Sequence, residues 1–309
     1  MEKNAKIYVA GHNGMVGSAF VRQLQAAGHT NIICKTHNEL DLTRQAEVEK
    51  FFAEEKPEYV FLTAANVGGM MTNKRFPAEH MIDNTYIEMN VIKSAFDNSC
   101  KHLLFVSTNC MYPASAPLPI KESSLLQGSL DSIWEAYGIA KILGVKLCEY
   151  YSKQYGVQYI SVVPCNLYGI NDSYDPEKSH VVAANIKRFH EAKKAGLKSV
   201  EIWGDGSALR EFLFADDLVN ACLLLMDKYN DTEMINIAPG YEISIKDMAL
   251  IIKDVVGYEG NVVFNKDKPN GVRSKKLDCK KLQELNWKPS TSFQEGIKIA
   301  YADFIKNNY

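Results

Sequence analysis

The sequence predicts an α/β protein: a doubly wound parallel sheet, followed by a smaller α/β region toward the C-terminus. Three observations predict it. Short apolar runs alternate with segments of helical period, the first run ends in a glycine loop that opens a helix, and the alternation loosens after Pro164. Regular strand–helix alternation calls for right-handed crossovers and helices on both faces of a parallel sheet.

The elements follow in order. Ile7-Tyr8-Val9-Ala10 is a continuous apolar run ending in glycine, as a strand buried on both faces requires. From Met15 to Ala27, Val16, Phe20 and Leu24 share one helical face, and Gly28 stops the helix. Ile32-Ile33-Cys34 is the next strand, and Val48, Phe51 and Phe52 mark a helix ending before Pro57. Tyr59-Val60-Phe61-Leu62 is the third strand. A long helix spans about Pro77 to Asn98, and Leu103-Leu104-Phe105-Val106 is the fourth strand. A helix from about Ala136 to Tyr155 and the strand Tyr159-Ile160-Ser161-Val162-Val163 complete the pattern. Beyond it the sequence predicts helices at Val181–Lys194, Ala215–Lys228, Ile245–Val255 and Phe293–Asn307, with short strands at Val200-Glu201-Ile202 and Val262-Val263-Phe264. The division is residues 1–165 for a dinucleotide-binding domain and 166–309 for a mainly substrate-binding one, with segments around 200–240 able to return to the first.

Composition bounds the function. Hydrophobic residues are 46% and charged residues 23% of 309, enough for a core of normal size. A formal net charge of -2 leaves no electrostatic footprint for nucleic acid or an anionic membrane. The seven cysteines are widely spaced, odd in number and without a Cys-x-x-Cys pair, which argues against a disulfide framework or a metal site. Reduced thiols, no signal peptide and no apolar stretch of roughly eighteen residues suit a cytoplasmic protein.

Gly11-His12-Asn13-Gly14-Met15-Val16-Gly17 spaces its glycines as G-x-x-G-x-x-G between a strand and a helix. In that context the first glycine makes the tight turn, the second admits a diphosphate and the third lets helix and strand pack closely. The helix N-terminus offers free N–H groups and a positive dipole end to phosphates. This is a dinucleotide site of the Rossmann type. The second strand leads into Lys35-Thr36-His37, with no carboxylate before Glu39. Cationic and polar groups there, with His12 in the loop, suit the 2′-phosphate of NADP(H); simple solvation of Lys35 and His37 is the competing reading. Asp41 and Leu42 are placed to meet the adenine edge.

Tyr137-Gly138-Ile139-Ala140-Lys141 sets a phenol and an ammonium one helical turn apart. A free tyrosine titrates near ~10. A neighbouring Lys⁺ and the cofactor's positive ring are expected to lower that value and fit Tyr137 for general acid catalysis as hydride reaches a carbonyl. Lys141 can also bond the nicotinamide ribose. A Tyr-x-x-x-Lys pair is common by chance, but this one follows the fourth strand, whose end carries Ser107-Thr108-Asn109-Cys110. A hydroxyl there can hold the substrate carbonyl beside the tyrosine.

Together these motifs resemble the extended short-chain dehydrogenase/reductase superfamily. The resemblance narrows with Asn66-Val67-Gly68-Gly69, Cys110-Met111-Tyr112-Pro113, Leu125-Leu126-Gln127-Gly128, Asn166-Leu167-Tyr168-Gly169, Ser179-His180-Val181 and Arg210-Glu211-Phe212. In order, and over essentially the whole chain, they are similar to the GDP-L-fucose synthase family, also called GDP-4-keto-6-deoxy-mannose epimerase/reductase. The resemblance implies epimerisation at C3 and C5 of a GDP-4-keto sugar and reduction of C4 with NADPH, in GDP-L-fucose or GDP-heptose synthesis for a surface or capsule polysaccharide. It implies Cys110 and His180 as the proton-moving pair; on sequence grounds alone these would be a buried thiol and a helix-start histidine. It implies cofactor contacts at Ala64, Ala65, Pro164, Asn166, Leu167 and His180, and substrate contacts at Asn166, Lys187, Arg188, Trp203 and Arg210. Arginine suits a diphosphate through its bidentate fork. It also implies a homodimer formed through the helices bearing Phe96 and Tyr137.

Three positions depart from the family pattern. Thr108 stands at the catalytic serine position, and His12 and His37 stand where many members have arginine. These departures open a second enzymatic reading: a C4 reductase of a GDP-4-keto-heptose that acts after a separate epimerase. A 4-epimerase or 4,6-dehydratase would recycle its cofactor, but dehydratases carry acidic groups after the strand-end threonine, where Asn109 and Cys110 stand here. A non-catalytic dinucleotide sensor is the reading from another class, and it would usually have lost Tyr137 or Lys141.

Overall fold

A computed structural model of the chain describes residues 1–268, 270–307 and 309. The first half runs β1 (Ile7–Ala10), α1 (Met15–Ala26), β2 (Ile32–Ile33), α2 (Gln45–Glu55), β3 (Tyr59–Leu62), α3 (Met70–Arg75), α4 (Pro77–Asp97), β4 (His102–Val106), α5 (Glu135–Tyr155) and β5 (Gln158–Pro164). The second half runs β6 (Asn166–Tyr168), α6 (Val181–Lys194), β7 (Ser199–Trp203), β8 (Leu209–Arg210), β9 (Phe212–Phe214), α7 (Ala215–Lys228), β10 (Ile235–Ile237), β11 (Ile243–Ser244), α8 (Ile245–Val256), β12 (Asn261–Asn265), α9 (Lys280–Glu284) and α10 (Phe293–Lys306).

Six strands form one parallel sheet in the order β10-β5-β4-β3-β1-β2. Its strands are largely apolar because helices cover both faces: α1 packs with α7, and α2 and α5 pack with α4. Phe20 of α1 stacks on Phe61 of β3 with ring centroids 4.4 Å apart. The chain steps from β1 outward to β2 and then crosses to β3 on the other side of β1. That reversal opens a crevice at the carboxyl ends of β1 and β3, the usual ligand position in open α/β sheets.

The strands and helices expected in the first half all form. The second half holds more strands than the periodicity shows. β6, β8, β9, β10 and β11 are each two or three residues long, too short for an alternating pattern to register. β10 pairs in parallel with β5 and extends the central sheet. Ala215, Leu218, Cys222 and Leu225 of α7, with Leu277 and Leu282, join the core around that sheet. A second core gathers Ile186 and Phe189 of α6, Met248 and Ile252 of α8, and Ile297 and Phe304 of α10. The polypeptide therefore crosses from one core to the other more than once. Among the described residues no helix is long and apolar enough to cross a membrane.

Asp172 follows β6 and is buried, and it accepts the Ser173 N–H at 2.7 Å. Burial pushes its carboxyl up to about 7 from an ordinary 3.8. The folded protein thus holds this proton more tightly than the unfolded chain does. The stability Asp172 contributes is full below its unfolded value and is lost as pH rises through about 7. Asp172→Asn removes the titration. Urea unfolding at about pH 5 and about pH 8.5 is expected to show the variant gaining on the parent as pH rises, by an amount on the order of a few kcal/mol.

Candidate active site

The site is built from strand ends. At the end of β1, Gly11 has φ +89, and a Cβ there would lie 2.6 Å from the backbone nitrogen of Ala64. Only glycine permits that turn against β3. Gly17, in the first turn of α1, faces the Gly11 carbonyl so closely that a Cβ would come within 2.1 Å of it. Gly14 differs: a Cβ there would meet only the Gly11 carbonyl, at 3.4 Å. The fold itself tolerates a side chain at Gly14, so glycine there serves the space above the loop. Gly14 also caps α1 without any side-chain acceptor, which leaves the first N–H groups of the helix free. Open space above bare helix N–H groups fits a diphosphate.

Beside this loop lies a cleft of about 560 Å³. Met15 and Val16 line it from α1, and Ala65 from the loop after β3. Ser107, Thr108 and Cys110 enter from the end of β4, and Tyr137 and Lys141 from α5. Pro164, Asn166, Leu167 and His180 close the far side, and Trp203 and Arg210 reach it from the second core. The fold thus brings the Tyr–Lys pair, the strand-end hydroxyls, Cys110 and His180 to one cavity.

Thr108 and Ser107 divide the hydroxyl work. Ser107 is buried and turns its Oγ–H toward the Met111 sulfur at 3.3 Å. The Thr108 oxygen accepts the Cys110 N–H at 3.2 Å, and its hydroxyl also lies beside the Cys110 thiol. Both hydroxyls line the cleft, Ser107 turned to the Met111 sulfur and Thr108 to Cys110.

The expected effect of Lys141 on Tyr137 is corrected by the structure. The phenol is pushed above its ordinary value by burial, with Cys110 and Glu88 adding to the shift. The Lys141 ammonium instead faces Glu88, with Nζ 3.1 Å from its Oε1, and both side chains are buried. It also lies over the Phe105 ring, 4.7 Å from the centroid, and 5.7 Å from the Tyr137 centroid. Desolvation therefore leaves the phenol with its proton. Sequence reasoning missed Glu88. The available signal was a single carboxylate beside Ile87 and Val91 on the buried stripe of α4.

Cys110 and His180 rest in neutral forms. Burial raises the Cys110 thiol, against a smaller pull from Lys275. His180 is exposed at the N-terminal cap of α6 and borders the cleft, and partial desolvation there lowers its value.

Other expected contacts sit farther off. His37 is exposed with Nδ1 3.8 Å from Asp41, and Asp41 is itself occupied by the Thr43 N–H and hydroxyl. Leu42 is buried, with its carbonyl held by Asn90. His12 buries Nδ1 without a partner among the described residues. Glu39, whose carboxylate accepts the Thr36 N–H and O–H, is held below its ordinary value by those bonds, with Lys35 and His12 adding to the effect. The exposed Asn13 donates no side-chain bond, and its carbonyl accepts from Asn171. Lys187 is not among the residues lining the cleft, and its ammonium donates to the Tyr174 carbonyl at 3.0 Å. Arg188 donates to the Glu201 carbonyl and lines a neighbouring hollow that shares Trp203 with the cleft. Arg210 holds the Leu209 and Val272 carbonyls through one nitrogen, Nη1.

The NAD dependent epimerase/dehydratase family matches residues 7–238. The chain is 50% identical over 306 residues to GDP-L-fucose synthase 1 of Arabidopsis thaliana, covering 99% of this chain and 95% of that protein. Its fold is similar to that of a GDP-6-OMe-4-keto-L-xylo-heptose reductase from C. jejuni. That likeness has a TM-score of 0.93 at 38% identity and covers 100% of this chain and 99% of the other. A GDP-mannoheptose C4 reductase from Campylobacter jejuni with NADP bound is similar at a TM-score of 0.90 and 39% identity, over 99% of each chain.

The contrast between two glycines is testable. Gly14→Ala is expected to fold with stability near the parent and to weaken NADPH binding by about tenfold or more, read by fluorescence titration. Gly17→Ala is expected to cost roughly 3 kcal/mol or more in thermal unfolding, because a backbone carbonyl must move.

Proposed function

The chain belongs to the NAD dependent epimerase/dehydratase family, and on that premise we propose that it is an NADP-dependent oxidoreductase that reduces C4 of a GDP-4-keto sugar. The observation that carries this reading is the convergence of Tyr137, Lys141, Thr108, Cys110 and His180 on one cleft beside an uncapped glycine loop. The full-length likeness to a GDP-L-fucose synthase supports the GDP-sugar class.

The roles follow from the geometry. The α1 N-terminus above Gly14 would hold the diphosphate, and Lys141, Pro164 and Leu167 border the space for the nicotinamide end. When bound, NADPH supplies the hydride. Thr108 donates its O–H to the C4 carbonyl oxygen and orients it. Tyr137, protonated in its buried position, gives its proton to that oxygen as negative charge develops there. Arg210 and Trp203 are the groups of the cleft that suit a diphosphate and a planar base.

The same reading includes epimerisation at C3 and C5. Protons next to a ketone are acidic, and inversion needs a base on one face and an acid on the other. Cys110 and His180 both line the cleft, one with its proton and one with its lone pair. The likeness to heptose C4 reductases favours a second reading in which only the reduction is carried out. We also include a cytoplasmic location, for which seven free thiols suit a reducing compartment. A homodimer is part of the proposal too, with Ile82, Tyr86, Met89, Ile139 and Tyr150 exposed on α4 and α5.

NADPH loss is expected to match product formation one to one with a GDP-4-keto-6-deoxyhexose or a GDP-4-keto-heptose. Recycling without net loss would sink the reductase assignment. Tyr137→Phe is expected to lower kcat by about 10²–10⁴-fold. In D₂O the product is expected to carry deuterium at C3 and C5, and Cys110→Ser or His180→Gln to suppress it. Reduction without deuterium would leave the C4 reductase reading.

A further inference from the structure

We propose that Glu88 is a positioning residue for the proton-transfer pair: its buried carboxylate fixes the Lys141 ammonium at the edge of the cleft, one helical turn from Tyr137. The proposal rests on the reading of Tyr137 and Lys141 as the pair that works on the substrate.

The geometry has three independent parts. Glu88 is fully buried in the α4–α5 contact, with Oε1 3.1 Å from Lys141 Nζ. Its other oxygen, Oε2, accepts the N–H of Gly144 at 3.1 Å, one turn along α5 from Lys141. A Cβ on Gly144 would lie 2.4 Å from Oε2 and 2.6 Å from the Phe105 ring, so the helix surface leaves room for this carboxylate only because residue 144 is glycine. The Phe105 ring lies beside the ammonium as well, 4.7 Å from Nζ to its centroid. Lys141 is thus held by a carboxylate and an aromatic face while it still borders the cleft.

A buried carboxylate needs a reason to be tolerated. Desolvation pushes Glu88 up to about 7 against the pull of Lys141 and Gly144. A Gly–Leu pair at these positions would pack without that cost, and a lone lysine could snorkel into the cleft. The pair does what neither alternative can: it keeps a cation in place at the cleft edge. The other titratable groups near it are Tyr137 and Cys148 on α5 and Cys110 after β4, among the described residues, and burial raises all three.

Steady-state NADPH oxidation as a function of pH tests this on the full-length enzyme. In the parent, kcat is expected to fall as pH drops through about 7, where Glu88 takes up a proton and lets go of Lys141. Glu88→Gln is expected to lose that limb and stay low across the range, with KM for the GDP sugar within about threefold. Glu88→Asp keeps a carboxylate but draws it back by one methylene. It is expected to keep an acid limb, displaced from the parent's, while kcat falls severalfold. A merely structural role would lower stability or kcat in both variants and leave the parent's acid limb in place in Glu88→Gln, and that result overturns the proposal. If Glu88→Gln is insoluble, Glu88→Asp decides through its profile: an acid limb coincident with the parent's overturns it. Tyr137→Phe run alongside separates the two levels. Inactive Tyr137→Phe with a parent-like Glu88→Gln rejects Glu88 alone, whereas active Tyr137→Phe rejects the reading beneath it.

Discussion

Parallel strands cannot be joined by tight turns, and that constraint shapes nearly everything in this chain. Each return to the start of the sheet needs a crossover, and each crossover begins at the same edge. The carboxyl ends of β1, β3, β4 and β5 therefore deliver their following residues to one place. Met15, Ala65, Thr108 and Asn166 lie far apart in sequence and border one cleft for this reason. The constraint also explains why β10 matters: by pairing with β5 it seats the second half of the chain against that edge.

Within the cleft the governing issue is how charge is carried at low dielectric. Ionised groups buried there survive only when compensated. Lys141 has Glu88, and Cys110 and Tyr137 rest neutral because burial disfavours their charged forms. The result is a site that holds its protons on oxygen and sulfur before substrate arrives. That is the state from which a ketone can be protonated as it is reduced. A phenol raised by burial differs from the simpler picture of a lysine pulling down a tyrosine.

The glycine loop shows a similar division of labour. Gly11 and Gly17 are demanded by the protein's own backbone, whereas Gly14 leaves space that the fold does not use. Three glycines that look equivalent in a motif thus separate into two that build the turn and one whose side the fold leaves open. Likewise Ser107 and Thr108 are adjacent hydroxyls with different partners, the Met111 sulfur for one and Cys110 for the other.

Much of this was legible in the chain itself. Apolar runs such as Ile7–Ala10 and Tyr59–Leu62, and the helical stripe of α1, fix element type because burial on a sheet or a helix face imposes its own period. The glycine spacing and the Tyr137–Lys141 interval were readable because turn geometry and helical pitch are local properties. What the tertiary structure decided was every relation across elements. β6 and β8–β11 are too short to carry a period, so their pairing appears only in space. The local bond that takes Lys187 to Tyr174 cannot be read from spacing. Nor can the partner of Lys141, since Glu88 lies 53 positions earlier and on another helix. Local chemistry is written in neighbouring residues, but compensation of a buried charge depends on what packing brings to it.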